Sequence, residues 1–571
     1  QAAVVENVNL YASKYEDEFT DHLKPFTEAI WGLLMKVGAQ QKHDILATTC
    51  IRFLTSIVSK QMHAEMFGNP VLLTEILQRI VLPNLAIREG DEELFEDNAA
   101  EYIQRDMEGG DNDTRRRCAA DLVRGLCKLH EETTTALGLR MANELLAQYG
   151  AAPAANWRAK DTALQLLLAL SVKAASGQSG VSATNPQVDV MQIFLRDVLP
   201  ELQDPAVAAR PVVRADCLKF VATFRNQFSA DQMSAIFPLL IAHLSSDAQV
   251  VVQTYAAMAV ERILLVKDKP PGQRPTPRFG KERLQQFLGP LFDSLFGALD
   301  TPQLAENDYL MKAVMRALAI AQDAVLPLAP VVLARLTAFI ARACANPANP
   351  QFNHYLFESL AVLVGRVCKA DAGTVAEFEA ALFPPFQQVL QLDVAEFTPY
   401  VFQILAQLLE GRPPPFSPAY MALFPPLLSP ALWESRGNVP ALVQLLSAYI
   451  RKDVGALVAA GHLVPMLGIF QKLNASRATE GSGFTLLTVL TDAAPTAAVE
   501  PHFTTLLNLM FRKLTSHKQA KYVRLVVHFC CVAAGRHGAG RLGPALEACE
   551  PGVTKLLLQQ VLLGPAFGFR L

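Results

Sequence analysis

The hydrophobic and polar positions along this chain repeat with a helical period almost throughout. In YLMKAVMRALAIAQ (309–322) the apolar residues Leu310, Val314, Ala317 and Leu318 recur at i, i+4, i+7 and i+8, the stripe of an amphipathic helix. Strict apolar/polar alternation over strand length is rare, and Asn-Gly hairpin turns are absent. The pattern predicts an all-α fold.

A second, slower pattern overlies the first. An apolar residue or two, a proline and then an apolar helical run recur as VLPNL, VLPEL, IFPLLIAHL, FLGPLFDSL, PLAPVVLARL, LFPPFQQVL, LFPPLLSPAL and LVPMLGIFQKL. Their prolines are Pro83, Pro200, Pro238, Pro290, Pro330, Pro384, Pro425 and Pro465, and from Pro200 onward the gaps are 38, 52, 40, 54, 41 and 40 residues. The two long gaps hold the Pro/Gly-rich loop KDKPPGQRPTPRFG (267–280) and the Asn-Pro loop CANPANPQF (344–352). Proline is tolerated in the first turn of a helix, so each tag is expected to open the second helix of a pair. A beat of roughly 40–47 residues is that of HEAT and armadillo repeats. One helix pair cannot bury its apolar face alone, but stacked pairs share a continuous core. About twelve or thirteen such repeats fit the chain.

Composition narrows the class. At 571 residues, 51% hydrophobic and 18% charged, the chain is neither one ordinary domain nor disordered. Its net charge of −3 supplies no global basic field for nucleic acid. Nine cysteines, an odd number with no CxxC pair, suit reduced, packed thiols better than a disulfide framework. No basic n-region precedes an apolar core at the start, and apolar stretches are interrupted before the ~20 residues of a membrane span, so a soluble chain is expected. The first residue is Gln1 rather than Met, which points to a fragment or processed product.

Candidate chemistry changes this picture little. There is no GxxxxGK[ST] loop, HExxH, or GxSxG elbow. Gly538, Gly540 and Gly543 match GxGxxG, but Pro544 follows and no βαβ pattern surrounds them, so a glycine-rich inter-helix loop is expected. His528, Cys530 and Cys531 lack the fourth ligand of a zinc site. Lys267, Lys269, Arg274 and Arg278 in the basic loop lack interleaved aromatics, and a solvated insertion is the expectation there. No catalytic, cofactor or metal residue is assigned.

The exception to the apolar helical pattern is DEELFEDNAAEYIQRDMEGGDND (91–113), ten of whose twenty-three residues are acidic, followed by three arginines. Its spacing breaks the calcium-loop pattern after two positions. The first part is expected to form short helical turns exposing Phe95 and Tyr102. Asp113 or Thr114 would then cap a helix, TRRRCAADLVRGLCKLH, with Cys118, Leu122, Leu126 and Leu129 buried and Arg115, Arg116 and Arg124 on the polar side. Composition leaves two readings open: a solvated charged insertion, or a docking surface for a basic partner with the aromatics as anchors.

The residues carry one further signal. LPNLAIREGDEELFEDNAAEYIQRDMEGGDNDTRRRCAADLVRGL (82–126) closely resembles the middle of the CAS-type exportins. Similar blocks follow in family order from about residue 8 to 530, among them YASKYEDEF, NWRAKD, FRNQ, TYAAMAVERIL, ENDYLMKAVMRAL, NPQFNHYLFESL, EFTPYVFQILAQLLE, AYMALFPPLL and GNVPALVQLL. The resemblance implies a non-enzymatic β-karyopherin, a right-handed superhelical α-solenoid of HEAT repeats built from antiparallel helix pairs. Such a receptor binds importin-α together with Ran-GTP, carries it out of the nucleus, and releases it after GTP hydrolysis on Ran. It shuttles between nucleus and cytoplasm, with nucleoporin FG repeats as further partners. No cofactor, nucleic acid, membrane insertion or obligate homo-oligomer is implied.

The organisation implied is HEAT repeats over 1–90, an acidic insertion over 91–113 and HEAT repeats over 114–571. In the insertion the expected partner-binding residues are Asp91, Glu92, Glu93, Phe95, Glu96, Asp97, Tyr102, Arg105 and Asp106. Asn307, Asp308, Tyr309, Lys312 and Arg316 form a second expected set. Set against the family pattern, the chain would begin several repeats late, without the N-terminal Ran-binding repeats, and stop before the last ones. The end QQVLLGPAFGFRL drifts from that pattern. Alternatives are another HEAT-repeat transport receptor, an importin with a different cargo, or a non-transport HEAT scaffold.

Overall fold

Amphipathic helices, most of about three to six turns, reach stability here chiefly by stacking in pairs. The computed structural model describes all residues except 109–113, 177–179, 207, 414, 517–518 and 557–571. It divides into two compact units, Gln1–Ala324 and Val325–Leu571.

In the first unit, Ala2–Lys14 leads into six antiparallel pairs. The second helices of these pairs are Asp44–Val58, the first part of Arg115–Ala151, Trp157–Ser171, Pro211–Thr223, Val250–Leu264 and Asp308–Ala321, and they pack on one another in that order. The Arg115–Ala151 run breaks at His130 (φ −127°, ψ 43°), so its second part is the first helix of the next pair. Val250–Leu264 lies between two such neighbours and is buried from Val251 to Glu261, which explains its apolar, alanine-rich sequence. In the second unit five pairs run from Ala329–Ala345 with Pro350–Ala370 to Phe503–Ser516 with Ala520–His537, and Ala539–Cys549 follows.

Leu310, Val314, Ala317 and Leu318 are fully buried, as their spacing predicts. The proline tags behave differently from expectation. They lie within the first helix of each pair, and several fall mid-helix, as Pro238 does in Ala230–Ala242 and Pro384 in Val375–Gln391. All eight tag prolines are solvent-exposed. On that face water hydrates the carbonyl that a proline leaves without a donor. Before Pro83 and Pro200 the helix also widens into a π turn, Leu77–Val81 and Phe194–Val198, which makes room for the ring.

Among the described residues two small hairpins interrupt the helices: Val172–Ser176 with Gly180–Thr184, and Lys267–Asp268 with Thr276–Pro277. Neither was expected from the pattern, because each is too short for period-two alternation to register. The runs 70–97 and 308–345 are long and apolar enough to cross a membrane by composition, yet their apolar faces form the repeat core, and the second is interrupted at Gln322 (φ 53°). Gly540 and Gly543 lie in a helix that follows a helix, so the strand–turn–helix setting of a dinucleotide loop is missing there.

Candidate partner interface

Between the two helices of the second pair, residues 86–108 fold back across the stacked second helices. Its first helix, Glu89–Asp97, starts with Glu89, Asp91 and Glu92 in the first turn, where negative charge is stabilised by the exposed N–H groups. The Asp91 carboxylate accepts the Arg88 backbone N–H at 3.2 Å and its guanidinium at 2.9 Å. Asn98 then caps Ala99–Ile103 by accepting from Glu101 N, and a π turn, Gln104–Glu108, closes the described part. Asp113 lies outside the described residues. Thr114 caps the next helix by accepting from Arg117 N at 3.2 Å.

Phe95 and Tyr102 correct the expectation that they are exposed. They are 1% and 8% exposed and pack edge to face, ring centres 4.9 Å apart. An acidic segment of this length holds its position only by burying apolar surface, and these two rings supply it. Gln249 adds a hydrogen bond to the Phe95 carbonyl at 2.8 Å.

Asp106 is the deepest polar anchor. One carboxylate oxygen accepts from Lys219 Nζ at 2.7 Å and the other from the Tyr255 hydroxyl at 2.6 Å. Burial alone would raise this carboxyl, but Lys219 and Tyr255 more than offset it and hold it below the usual range. Burial pushes the Tyr102 and Tyr255 phenols well above theirs. Glu92 makes a shallower, two-point bond to Arg158, at 2.5 and 2.7 Å.

Arg115 and Arg116 also depart from the polar side expected for them. Arg115 is 7% exposed, bonded to Asp44 at 2.6 Å and to the Gly38 carbonyl at 3.0 Å. Arg88 bonds the same Asp44. Arg116 meets the fully buried Asp161 at 2.5 Å. Desolvation and the adjacent Asp161 drive the buried Asp216 carboxyl well above the carboxylate range. Gln165 donates to the Asp216 carboxyl at 2.7 Å. Arg124 is exposed and pairs with Asp121, as its helical position suggests. Cys118, Leu122 and Leu126 are buried and Leu129 is half-buried.

The nine insertion residues thus divide by direction. Asp91, Glu92, Phe95, Tyr102 and Asp106 are engaged inward, while Glu93, Glu96 and Asp97 are exposed and Arg105 is exposed beside Glu101. Of the second set, Asn307 caps Asp308–Ala321 and donates to Thr254 at 2.9 Å, and Arg316 reaches Glu261 at 3.2 Å. Asp308, Tyr309 and Lys312 are half-buried on the same helix. The insertion anchors on Val250–Leu264, and this second set stands on the helix packed beside it. Asp44, Arg158, Asp161, Asp216, Lys219, Gln249 and Tyr255 were not singled out from sequence. Lys219 and Tyr255 lie more than 110 residues from Asp106, a separation at which no local pattern speaks.

A polar cleft of about 640 Å³ between the insertion and the Asp44–Val58 helix is lined by Asp44, Arg88, Asp91, Tyr102, Arg115 and Arg116. Most of these charges are already matched to one another. Among the described residues no group of three His, Cys, Asp or Glu is placed to hold a metal ion.

Stacked helix pairs carrying an anchored charged insertion define a HEAT-repeat α-solenoid. A family model described as "CAS/CSE protein, C-terminus" matches residues 261–568, and one described as "Cse1" matches residues 1–260. The chain belongs to the CAS/CSE family. Exportin-2 of Danio rerio is 39% identical over 565 residues, which cover 99% of this chain and 58% of that protein. Among solved structures, the exportin Cse1 in its cargo-free, cytoplasmic state aligns with a TM-score of 0.87 at 32% identity, covering 98% of this chain and 58% of the other. Kap121p bound to RanGTP shares the fold, with a TM-score of 0.67 at 16% identity over 98% of this chain and 55% of that one. The chain therefore spans 58% of the length of the relatives it matches.

Proposed function

We propose that the chain acts within a nuclear export receptor that binds importin-α together with Ran-GTP, release following GTP hydrolysis on Ran. The observation that carries this reading is the collinear match to Exportin-2 along 99% of the chain, with the cargo-free Cse1 fold reproduced at a TM-score of 0.87. A solenoid suits the task because successive repeats offer an extended surface to two partners at once. The receptor works by binding alone, shuttles between nucleus and cytoplasm, and touches FG nucleoporins at the pore.

On this reading the insertion, 91–113, is a contact element between two blocks of HEAT repeats, 1–90 and 114–571. The exposed Glu93, Glu96 and Asp97 meet a basic partner surface, and Phe95, Tyr102 and Asp106 hold them in place. Asn307, Asp308, Tyr309, Lys312 and Arg316 form a second contact on the neighbouring helix. Complementary charge of this kind speeds encounter and selects the partner.

The test is a pull-down of importin-α by this chain and, side by side, by its longer Exportin-2 relative, with and without Ran held in the GTP state. Importin-α capture that rises with Ran-GTP supports export. Capture that falls with Ran-GTP marks an importin instead, and capture by the longer relative that ignores Ran marks a scaffold.

A further inference from the structure

Residues 267–277, KDKPPGQRPTP, follow the Val250–Leu264 helix as a hairpin in which every residue is exposed. Lys267 pairs with Pro277 and Asp268 with Thr276, and a turn closes at Gly272, whose φ of 73° suits glycine. The base of the hairpin is fixed unusually well for a surface loop. Arg278 binds Asp268 at 2.8 Å and donates to the backbone carbonyls of Asn226 and Phe228 at 2.7 and 2.8 Å. Phe279, fully buried, stacks on Phe237 with ring centres 4.8 Å apart. Four prolines, at 270, 271, 275 and 277, stiffen the strands and tip.

This rigid frame presents Lys267, Lys269 and Arg274, none of which has an anionic partner among the described residues. The one acid in the hairpin, Asp268, is taken by Arg278. Lys267 could serve only to offset the carbonyl end of the Val250–Leu264 helix, but that effect fades within a turn and leaves Lys269 and Arg274 unexplained. We propose that the 267–277 hairpin is a docking arm for an acidic polypeptide segment. A polypeptide is favoured over nucleic acid because the arm carries no aromatic side chain on which a base could stack. Pre-ordering three unpaired cations lowers the entropy lost when carboxylates bind them. This site is distinct from the acidic insertion and does not depend on the transport reading.

The experiment titrates the chain with a fluorescent peptide rich in Glu and Asp, followed by anisotropy. A zero-length carbodiimide crosslink, mapped by mass spectrometry, accompanies it. Reversal at the arm (Lys267→Glu, Lys269→Glu and Arg274→Glu together) is compared with an equal charge change at the exposed Lys14, Lys128 and Arg140. The expected result is an affinity loss of roughly tenfold or more for the arm variant and about twofold or less for the other. Crosslinks on Lys267 or Lys269 of the unmodified chain support the same conclusion without relying on any variant. Equal losses from the two variants, or no saturable binding, overturn the proposal. So does tighter binding of single-stranded DNA of matched charge that the arm variant abolishes, which would make the surface one for nucleic acid.

Discussion

Two carboxyls close together at the root of the insertion respond to pH in opposite directions. Asp216 is raised by burial and by Asp161, so above its ordinary value of 3.8 the folded state keeps a proton that the unfolded chain releases. Its contribution to stability is therefore lost as pH rises from there towards the raised folded pKa, by about 1.4 kcal/mol per unit. Asp216→Asn keeps the neutral side chain and removes this penalty. Thermal melts should show the variant gaining on the parent chain from about pH 4 upward, and a gap independent of pH would mean Asp216 is ionised in the fold. Asp106 is lowered instead, because Lys219 and Tyr255 outweigh its burial. Its contribution is present above 3.8 and is lost as pH falls through the depressed folded pKa. Asp106→Ala leaves Lys219 without its counter-charge and should cost about 3–5 kcal/mol by denaturant titration. Breaking the more exposed Glu92–Arg158 pair should cost about 0.2–1 kcal/mol.

At the scale of the element, the insertion divides its residues between buried anchors and exposed acids. Phe95→Ala removes a fully buried ring and should cost about 3–5 kcal/mol. Hydrogen exchange should then rise across 86–108 before the flanking helices respond. Glu93→Lys, Glu96→Lys and Asp97→Lys together change only exposed charge. They should leave the melting temperature nearly unchanged and weaken assembly with importin-α and Ran-GTP, read by pull-down. Unchanged assembly would remove the insertion from the interface. The presence of this element was legible in the sequence, because ten acids in twenty-three residues interrupt an apolar chain. The direction of its side chains was not. Period-3.6 reasoning places Phe95 and Tyr102 on turns of a polar helix, and only the distant Gln249, Lys219 and Tyr255 reveal that this helix lies against others.

At the scale of the molecule, the forty-residue beat reported the repeat correctly and its phase incorrectly. The tag prolines mark the solvent face of first helices rather than the start of second ones, since both placements tolerate a missing N–H. A solenoid couples each repeat mainly to its neighbours. Damage at Asp106 or Phe95, in the first unit, should therefore leave protection of Val439–Ala459 in the second unit unchanged by hydrogen exchange. Loss of protection throughout would show that the units unfold as one.

The sequence by itself determined the class: all-α, repeated, and of the CAS-type family, because helix period, repeat length and family blocks are each written locally. Tertiary structure decided which charges are available. Of the insertion's residues, five turn inward, with the partners of Glu92, Asp106 and Phe95 lying from 66 to 154 positions away, and Glu93, Glu96 and Asp97 remain outward. Burial and pairing depend on which helices stack side by side, and no window of sequence contains that information.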